Sequence, residues 1–415
     1  MSSSTSALGS LALFAAVAAV ATTFSKGLNS KKKKESGSGS KSTYIVASDI
    51  GGTNSRFALY APGKRDSLLT HTFPNETALK DAKSYHHATL KPFLEKCLAE
   101  VDHWKNIDVS KLRVVACLAA AGPVKTNNTV YMTNIVGGCT IDGNEIEMCQ
   151  DGLLASVVRC KLVNDFVGQG YGALDLDLDA EVVELLPGSK AKIDDLGPKV
   201  CVGAGTGLGQ CFLTKSSLKP ELGYECYPSE GGHVDFVPRG DLEVELLEYL
   251  KKKFGCKNRV SVERVVSGRG LANVYEFLAE KFPERLDKDV HEQFLKAGDQ
   301  QGGVVGYNAV KGSSLALQAV NLMIAAYGAE VGNASLKFIP TGGMYVTGGL
   351  TPKNIKFIQG EKSPFMEAYL DKGRLGDVLD TIPLFAVITE DIGLRGARVC
   401  AEREYKYLFR DENSG

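Results

Sequence analysis

Two stretches of the chain share one hydrophobic pattern: an apolar run, a glycine-rich turn and a second apolar run. The first copy is Tyr44–Ala47, Asp49–Asn54 (DIGGTN) and Ser55–Tyr60. The second copy is Lys199–Val202, Gly203–Gly209 (GAGTGLG) and Gln210–Thr214. Short runs of apolar and β-branched residues on either side of a glycine turn predict a strand, a tight turn and a returning strand. The repetition predicts a duplicated unit whose two turns face one cleft.

The remaining apolar segments alternate between helical spacing and short buried runs. Helical spacing is found in Thr77–Trp104, Ile146–Arg159, Leu242–Phe254, Val262–Phe282, Val310–Val331 and Ile392–Phe409. Buried strands are predicted at Leu112–Ala120, Lys161–Val163, Thr341–Leu350 and Pro383–Ile388. This order predicts an α/β protein. Val310–Val331, a long and largely apolar segment, is expected to be a core helix.

Composition narrows the class of protein. The chain has 415 residues, of which 44% are hydrophobic, so two domains are expected. A net charge of -1 provides no field that favours nucleic acid. The ten cysteines form no C-x-x-C pair and no histidine lies at ligand spacing from them, which predicts reduced thiols and argues against zinc and disulfides. Three N-x-[ST] sequons, at Asn75, Asn127 and Asn333, matter only in a secreted chain.

The first 42 residues form a separate region. Leu8–Phe24 is uncharged and alanine-rich, and Lys31–Lys34 follows it. Positive charge after the apolar run favours a signal-anchor that leaves the chain on the cytoplasmic side of a membrane. The competing interpretation is an organelle-targeting leader, since the segment is serine-rich and free of acidic residues. Residues 25–42 are expected to be a flexible linker.

The first glycine turn has the chemistry of a phosphate site. Gly51 and Gly52 permit close backbone approach, Thr53 and Asn54 add polar side chains, and Asp49 supplies a carboxylate for a cation's water shell. The alternative is an ordinary hairpin turn, but a second such turn favours phosphate binding at both. The glycine spacing of the second turn does not fit G-x-G-x-x-G, and no P-loop sequence occurs, so a nicotinamide dehydrogenase is disfavoured.

Polar residues elsewhere suit a hydroxylated ligand. Asn164 and Asp165 follow an apolar strand, where ligands of open α/β sheets bind, although an Asx turn that caps a helix is the alternative. Glu230 and His233 flank two glycines, and Glu263 opens an amphipathic segment. Each of these three also has a structural interpretation, as a surface acid, a core histidine and a first-turn acid.

Six motifs in order give the chain a family resemblance. They are DIGGTN, VNDF, GAGTGLG, EGGHVDF, ERVVSG and GGMYVTGG. Together they resemble the bacterial-type glucokinases of the hexokinase/actin-like ATPase fold, from about Tyr44 to Tyr407. The resemblance implies a two-domain, ribonuclease H-like α/β fold with an inter-domain cleft. A small domain would comprise 43–164 plus about 394–410, and a large domain 165–393.

The resemblance also implies an ATP:hexose 6-phosphotransferase. Asp165 would be the general base on the sugar's primary hydroxyl, and Asn164, Glu230, His233 and Glu263 would bind the other hydroxyls. Asp49–Asn54 and the second turn would hold ATP, with Mg²⁺ arriving on ATP and reaching Asp49 through water. In the second turn the implied residues are Gly205, Thr206 and Gly207, and Gly348 and Gly349 would flank the adenosine. Glucose and ATP are the implied ligands, and monomer and homodimer both stay open.

A non-catalytic, sugar-sensing protein of the same fold is the alternative function. A DNA-binding regulator would carry a helix-turn-helix before the first turn, where this chain has Lys/Ser-rich sequence. A sensor would not need the base, and Asp165 is present. Two features depart from the wider family of sugar kinases and repressors: Val234–Phe254 lacks the cysteines of a zinc loop, and Arg395 replaces an apolar residue in the closing Gly-Leu-x-Gly-Ala motif. The sequence assigns Arg395 no role.

Overall fold

The structure of the chain, a computed structural model, describes residues 41–410 except 81, 188, 190, 218, 219, 221 and 222. The strands are β1 Ser42–Ile50, β2 Asn54–Tyr60, β3 Leu69–Pro74, β4 Leu112–Ala120, β5 Thr129–Met132, β6 Cys139–Asp142, β7 Val157–Asn164, β8 Val182–Glu184, β9 Lys199–Ala204, β10 Leu208–Lys215, β11 Tyr224–Ser229, β12 Gly343–Thr347 and β13 Leu384–Val387. The α-helices are α1 Asn75–Ala78, α2 Tyr85–Ala88, α3 Leu90–Glu100, α4 Gly143–Met148, α5 Asp165–Ala173, α6 Asp241–Phe254, α7 Gly268–Lys281, α8 Lys288–Lys296, α9 Gln301–Val310, α10 Ser314–Phe338, α11 Leu350–Lys353, α12 Ile355–Ile358, α13 Pro364–Leu370, α14 Gly376–Leu379 and α15 Ile392–Leu408. The proposed anchor or leader lies outside the described residues, as does nearly all of the linker.

Two sheets repeat one topology. The first has the order β3-β2-β1-β4-β7, with β1 antiparallel to β2 and parallel to β4. The second has the order β11-β10-β9-β12-β13-β8, with β9 antiparallel to β10 and parallel to β12. The first five strands of each sheet therefore correspond one to one, and β8 is an addition at the edge. This correspondence agrees with the predicted duplication, and each glycine turn joins the first two strands of its unit.

The central strands are buried on both faces. Alternate residues of β4 contribute to two different cores: Val114 and Ala116 pack on the outer side, while Val115 and Cys117 pack on the inner side. Strands covered on both faces read as unbroken apolar runs, which is why these segments were recognisable in the sequence.

Two helices, α5 and α15, pack together on the inner side of the sheets. α5 contacts strands of both sheets, and α15 lies on β1 and β4. The helices approach so closely that a Cβ at Gly396 would overlap the backbone carbonyl of Gly168, and one at Gly172 would overlap that of Ile392. The glycines of α5, unfavourable for a helix on their own, are required by this crossing. Since α5 begins at Asp165, the crossing fixes the position of that carboxylate.

The predicted core helix is confirmed with shifted ends. α10 is long and apolar enough to span a bilayer, with a mean hydropathy of 1.3, but 78% of that window is buried inside the protein. Ser42 opens the compact unit that holds both sheets. Its division into domains 43–164 plus 394–410 and 165–393 stays a prediction.

Two predicted helices were wrong in extent. Thr77–Trp104 holds three separate helices, the longest of which begins at Leu90 and places Pro92, which lacks an N–H, in its first turn. Of Ile146–Arg159, only the end of α4 and a short 3₁₀ turn, Gly152–Ser156, are helical. Val157 instead begins β7, because it pairs with Val114 of β4. Long-range pairing overrides helical spacing here.

Candidate active site

The first glycine turn connects β1 to β2 directly after Asp49. The amide of Gly51 donates to the carbonyl of Asn54 at 2.9 Å, which closes the turn. A Cβ at Gly52 would lie 2.7 Å from the carbonyl oxygen of Asn134, so only glycine fits there. Thr53 and Asn54 are exposed at the tip. Backbone groups and the Thr53 hydroxyl are therefore accessible at this turn, and their binding of phosphate stays a prediction.

A buried hydrogen-bonded chain supports this turn from behind. Asn75 donates from Nδ2 to the carbonyls of Gly51 and Gly52, at 2.8 and 3.1 Å. Its Oδ1 accepts from the Ser55 hydroxyl at 2.7 Å, and Ser55 in turn accepts from the Tyr85 hydroxyl at 2.9 Å. This support is not recognisable in the sequence, where Asn75 stands out only as part of a sequon. Asn75 is 1% exposed, so the folded chain does not offer it for glycosylation.

Because the first turn is predicted to hold ATP, replacing Asn75 with alanine is expected to raise the KM for ATP at least tenfold. The change removes both donors from the turn's carbonyls, and each buried group left without a partner costs about 1–3 kcal/mol. Steady-state kinetics with ATP varied measure the effect. Asn127→Ala is the matched control, an exposed asparagine in another sequon. An unchanged KM in Asn75→Ala would show that the turn does not need this support.

The second glycine turn connects β9 to β10 and is held by two neighbours. The amide of Gly205 donates to the carbonyl of Gly207 at 2.8 Å, and Gly268 donates to the carbonyl of Gly205 at 2.8 Å. Glu263 accepts the amide of Leu208 through Oε2 at 2.9 Å. Thr206 is exposed at the tip.

Glu263 therefore braces the second turn. Its Oε2 is taken by a backbone amide, a contact the sequence did not predict, and its role in sugar binding stays a prediction.

Glu230 and His233 lie beside the same turn. A Cβ at Gly232 would overlap the carbonyl of Leu208, so the Glu230–His233 segment packs directly on β10. The His233 Nε2 and Glu230 Oε2 atoms are 3.9 Å apart, and the side chains are 54% and 72% exposed. His233 is thus a surface residue, not a core histidine. Both groups are open to a polar ligand.

Asn164 and Asp165 lie at the junction of β7 and α5. Asn164 caps the helix: its Oδ1 accepts the amide of Phe166 at 2.9 Å, and its Nδ2 donates to the carbonyl of Gly122 at 3.1 Å. The Asx-turn alternative is thus confirmed for Asn164. One Nδ2 hydrogen is used by Gly122, so the other remains for the predicted contact with the sugar. The cap also sets Asp165 at the first position of α5.

Asp165 has the electrostatics of a base. The pKa of Asp165 is raised to about 7. Burial of the carboxyl group is the largest cause, and the nearby carboxylate of Asp49 is the second. Burial likewise raises the pKa of Asp49, against the opposing effect of Arg56. A base whose pKa lies near the working pH combines availability with driving force for proton transfer. The interaction of Asp49 with Asp165 also joins the first turn to the candidate base.

The ring of Phe166 connects the β7–α5 junction to the second turn by packing against it. A Cβ at Gly203 would lie 2.9 Å from the Phe166 ring, and one at Gly209 would overlap it. Asp165 is thus one residue from a ring that lies against the β9–β10 hairpin. At the start of α5, the candidate base thus lies near Asp49 of the first turn and next to the residue that packs on the hairpin of the second turn.

Gly348 and Gly349 follow β12, next to the second turn. Gly348 has a φ of +82°, and a Cβ there would overlap the carbonyl of Ala204, the last residue of β9. Gly348 therefore packs tightly on β9, whereas a Cβ at Gly349 would meet no atom within 4 Å. The adenosine contact of both glycines stays a prediction.

Arg395, to which the sequence assigned no role, is an anchor for α15. Its guanidinium binds both carboxylate oxygens of Glu181, and its Nε donates to Asp391 at 2.9 Å. These bonds raise the pKa of Arg395. The bidentate pair ties α15 to the segment that leads into β8 of the second sheet.

Comparisons with known proteins agree with this arrangement. The family model described as Glucokinase matches residues 46–404. The glucokinase of Synechocystis sp. is 37% identical over 374 residues, covering 88% of this chain and 99% of that protein. The crystal structure of glucokinase from an Antarctic psychrotroph superimposes with a TM-score of 0.65 at 26% identity, over 86% of this chain and 98% of that one.

A more distant structure has the same fold. Glucokinase from Balamuthia mandrillaris, solved in complex with glucose, superimposes with a TM-score of 0.65 at 23% identity, over 87% of this chain and 94% of that one. The predicted α/β fold of the actin-like ATPase type is confirmed. Family match, sequence identity over nearly the whole folded region and shared architecture agree, and the chain belongs to the glucokinase family, the enzymes that phosphorylate glucose with ATP.

Proposed function

We propose that Asp165 is the general base in the transfer of the γ-phosphoryl group of ATP to the 6-hydroxyl of glucose, which yields glucose 6-phosphate and ADP. The observation that carries the proposal is a carboxylate with a pKa of about 7 at the start of α5, within electrostatic reach of the first glycine turn. An alcohol is a poor nucleophile at neutral pH, so a carboxylate must orient it and accept its proton.

The two glycine turns hold the phosphates in this proposal. Phosphoryl transfer depends mainly on positioning and on neutralising charge. The first turn, with Gly51, Gly52, Thr53 and Asn54, and the second, Gly205–Gly207, offer backbone amides and hydroxyls for that purpose. Gly348 and Gly349 would flank the adenosine beside the second turn: Gly348 fits tightly against β9, and the space beside Gly349 is open.

The residues of the first turn also fit a magnesium ion that arrives with ATP. Mg²⁺ prefers oxygen ligands and keeps several waters. The carboxylate of Asp49 is such a ligand. Burial raises the pKa of Asp49, and a nearby cation would counteract this effect by favouring the charged form of the carboxylate. When bound, Mg²⁺ would neutralise charge on the transferring phosphoryl group. Asp49 would orient the ion through its water shell.

The sugar is held by the polar groups around Asp165 and the second turn. Carboxylates, an amide and an imidazole bind hydroxyls in pairs, and a site of this kind rejects analogues that lack a hydroxyl. The proposed set is Asn164, Glu230, His233 and Glu263. Glu263 would bind through the oxygen not used by Leu208.

The function is tested by a coupled ATP assay with glucose, mannose, fructose and N-acetylglucosamine. Turnover is expected with glucose. Activity on none of the four sugars, together with measurable glucose binding, would favour the non-catalytic sensor. Activity on another of these sugars but not on glucose would contradict the proposed substrate, while the proposed phosphoryl transfer would still hold.

Replacing Glu230 with glutamine is expected to raise the KM for glucose about tenfold or more, with kcat within a few-fold of the wild type. The amide keeps the shape but loses the acceptor charge, and a hydrogen bond to a charged group contributes roughly 1.5–3 kcal/mol. Kinetics with glucose varied give the result. Glu361→Gln, an exposed glutamate elsewhere, should change neither constant. An unchanged KM in Glu230→Gln would remove Glu230 from the site.

The location proposed for the enzyme is the cytoplasm or a membrane surface that faces it. The proposal rests on the ten scattered cysteines, whose pattern in the sequence predicts reduced thiols. Attachment through residues 8–24 and organelle targeting both stay predictions. Microscopy of a fluorescent fusion with and without residues 1–30 distinguishes an anchor or leader from a dispensable extension.

Monomer and homodimer stay open, and light scattering decides between them.

A further inference from the structure

We propose that His86, His87 and Cys149 form a binding site for a transition-metal dication, with zinc as the first choice. One ring nitrogen of each histidine and the Cys149 Sγ atom lie within 4.8 Å of one another. Two imidazoles and a thiolate are ligands typical of zinc, whereas Mg²⁺ prefers oxygen. This site is separate from the residues proposed to bind Mg-ATP.

The fold brings these ligands together from distant parts of the chain. His86 and His87 are consecutive residues of α2, which contacts strand β6. Cys149 directly follows α4, the helix that comes after β6. The sequence argument against zinc considered only local spacing, and local spacing cannot detect ligands joined by tertiary contacts.

The Ser84 hydroxyl marks the point where the two imidazoles converge. Its Oγ lies 3.3 Å from both Nδ1 and Nε2 of His86 and 2.8 Å from Nδ1 of His87. One polar atom therefore already interacts with both rings at once. The centroids of the two rings are 4.5 Å apart, so a cation between them can bind a nitrogen of each ring after small rotations.

A carboxylate stands behind one of the ligands. The Oδ2 atom of Asp151 lies 3.2 Å from Nε2 of His87 and also accepts from Lys91 at 2.7 Å. Histidines that bind metals usually donate their second ring N–H to such a carboxylate, which orients the ring and increases its basicity. Asp151 is thus placed to orient His87.

The ligands can close on a metal by small movements. Zn–N bonds of ~2.0–2.1 Å and a Zn–S bond of ~2.3 Å put tetrahedral ligands roughly 3.3–3.7 Å apart, so the three atoms must approach by about 1 Å. His86 is 3% exposed and fixed, whereas the His87 side chain is 34% exposed and Cys149 is partly buried, so these two have room to rotate. Binding releases the thiol proton of Cys149.

The proposed site lies next to the support of the first turn. Tyr85, whose hydroxyl donates to Ser55 in the chain that ends at Asn75, directly precedes the two histidines. A metal that joins α2 to Cys149 would restrain this helix. Zinc is therefore expected to raise the melting temperature of the protein.

The test uses the full chain, freed of metal, with Zn²⁺ measured by competition with a chromophoric chelator and Co²⁺ by absorption. We expect one Zn²⁺ per chain, a near-ultraviolet thiolate-to-cobalt band and a higher melting temperature with zinc. Cys149→Ser and His87→Gln should each weaken zinc binding at least about 10- to 100-fold, as losses at metal sites do, and Cys149→Ser should abolish the band. Neither variant alters the fully buried His86.

Matched controls are Cys256→Ser, another partly buried thiol, and His103→Gln, an exposed histidine. Both should bind zinc like the wild type. Wild-type affinity in Cys149→Ser, or loss of binding in Cys256→Ser, would overturn the proposal. Melting curves without metal identify any variant that fails to fold, and in that event the remaining single variant decides. Kinase activity in excess Mg²⁺ is measured separately, so failure of this site leaves the proposed phosphoryl transfer intact.

Discussion

Replacing Asp165 with asparagine is expected to lower kcat by about 10²- to 10⁴-fold, while the KM for glucose changes only a few-fold. Asparagine keeps the shape of the side chain, and the Asn164 cap of α5 is left in place. It cannot accept the proton that the 6-hydroxyl loses as the phosphoryl group transfers. The lost proton transfer stabilises mainly the transition state, so its loss lowers kcat more than it weakens the binding of glucose.

The matched control is Asp102→Asn, which removes a carboxylate whose side chain is 88% exposed. Its kinetics should equal those of the wild type. Near wild-type turnover in Asp165→Asn would eliminate Asp165 as the base. A parallel loss of glucose binding, measured by calorimetry, would instead indicate that Asp165 mainly holds the sugar.

The pKa of Asp165 adds a pH signature. Because burial and Asp49 raise that pKa to about 7, the active, deprotonated form is lost as the pH falls through 7. The wild-type kcat/KM should thus fall about tenfold per pH unit below 7, and this slope should disappear in the residual activity of Asp165→Asn.

Stability has the opposite pH dependence. The native state binds this proton more tightly than the unfolded state, so its contribution to stability is full below the ordinary aspartate pKa and declines as the pH rises to about 7. At pH 8, Asp165→Asn should melt at a higher temperature than the wild type.

Replacing Gly396 with alanine is expected to reduce the free energy of unfolding by at least about 3 kcal/mol and to lower activity as well. The new methyl group would overlap the carbonyl of Gly168, and backbone cannot rotate aside as a side chain can. Helices α5 and α15 must separate to admit it. Since α5 starts at Asp165, the separation also displaces the proposed base.

Gly306→Ala is the matched control, since this glycine also lies within a helix, α9, and a Cβ there meets no atom within 4 Å. Alanine should stabilise the protein by about 0.5–1 kcal/mol, because it restricts the unfolded chain and favours helix. Urea denaturation followed by circular dichroism measures both variants. Equal stability of Gly396→Ala and the wild type would mean that the helices tolerate a wider crossing.

The elements that were predictable share one property: local pattern determines them. Strands such as β4 and β9 are buried on both faces, so they are continuous apolar runs, and the turn after β1 requires glycine because no Cβ fits beside Asn134. The same logic located Asp165, since a polar residue directly after a buried strand lies at the edge where ligands bind. The order of these motifs was sufficient to indicate the family.

The features that were missed depend on partners far away in the chain. Ile146–Arg159 has helical spacing, yet Val157 begins a strand because β4 offers backbone partners. Asn75 has no local signal, and its role exists only because Gly51, Gly52 and Ser55 meet it in the fold.

By itself, the sequence determined the two strand–turn–strand units, the candidate base and the family, because burial pattern and turn chemistry act over a few residues. The tertiary structure alone decided what supports the first turn, why α5 tolerates its glycines, what Arg395 binds and which histidines meet Cys149. Those properties are contacts between groups far apart in the chain, and contacts of that kind leave no spacing to read.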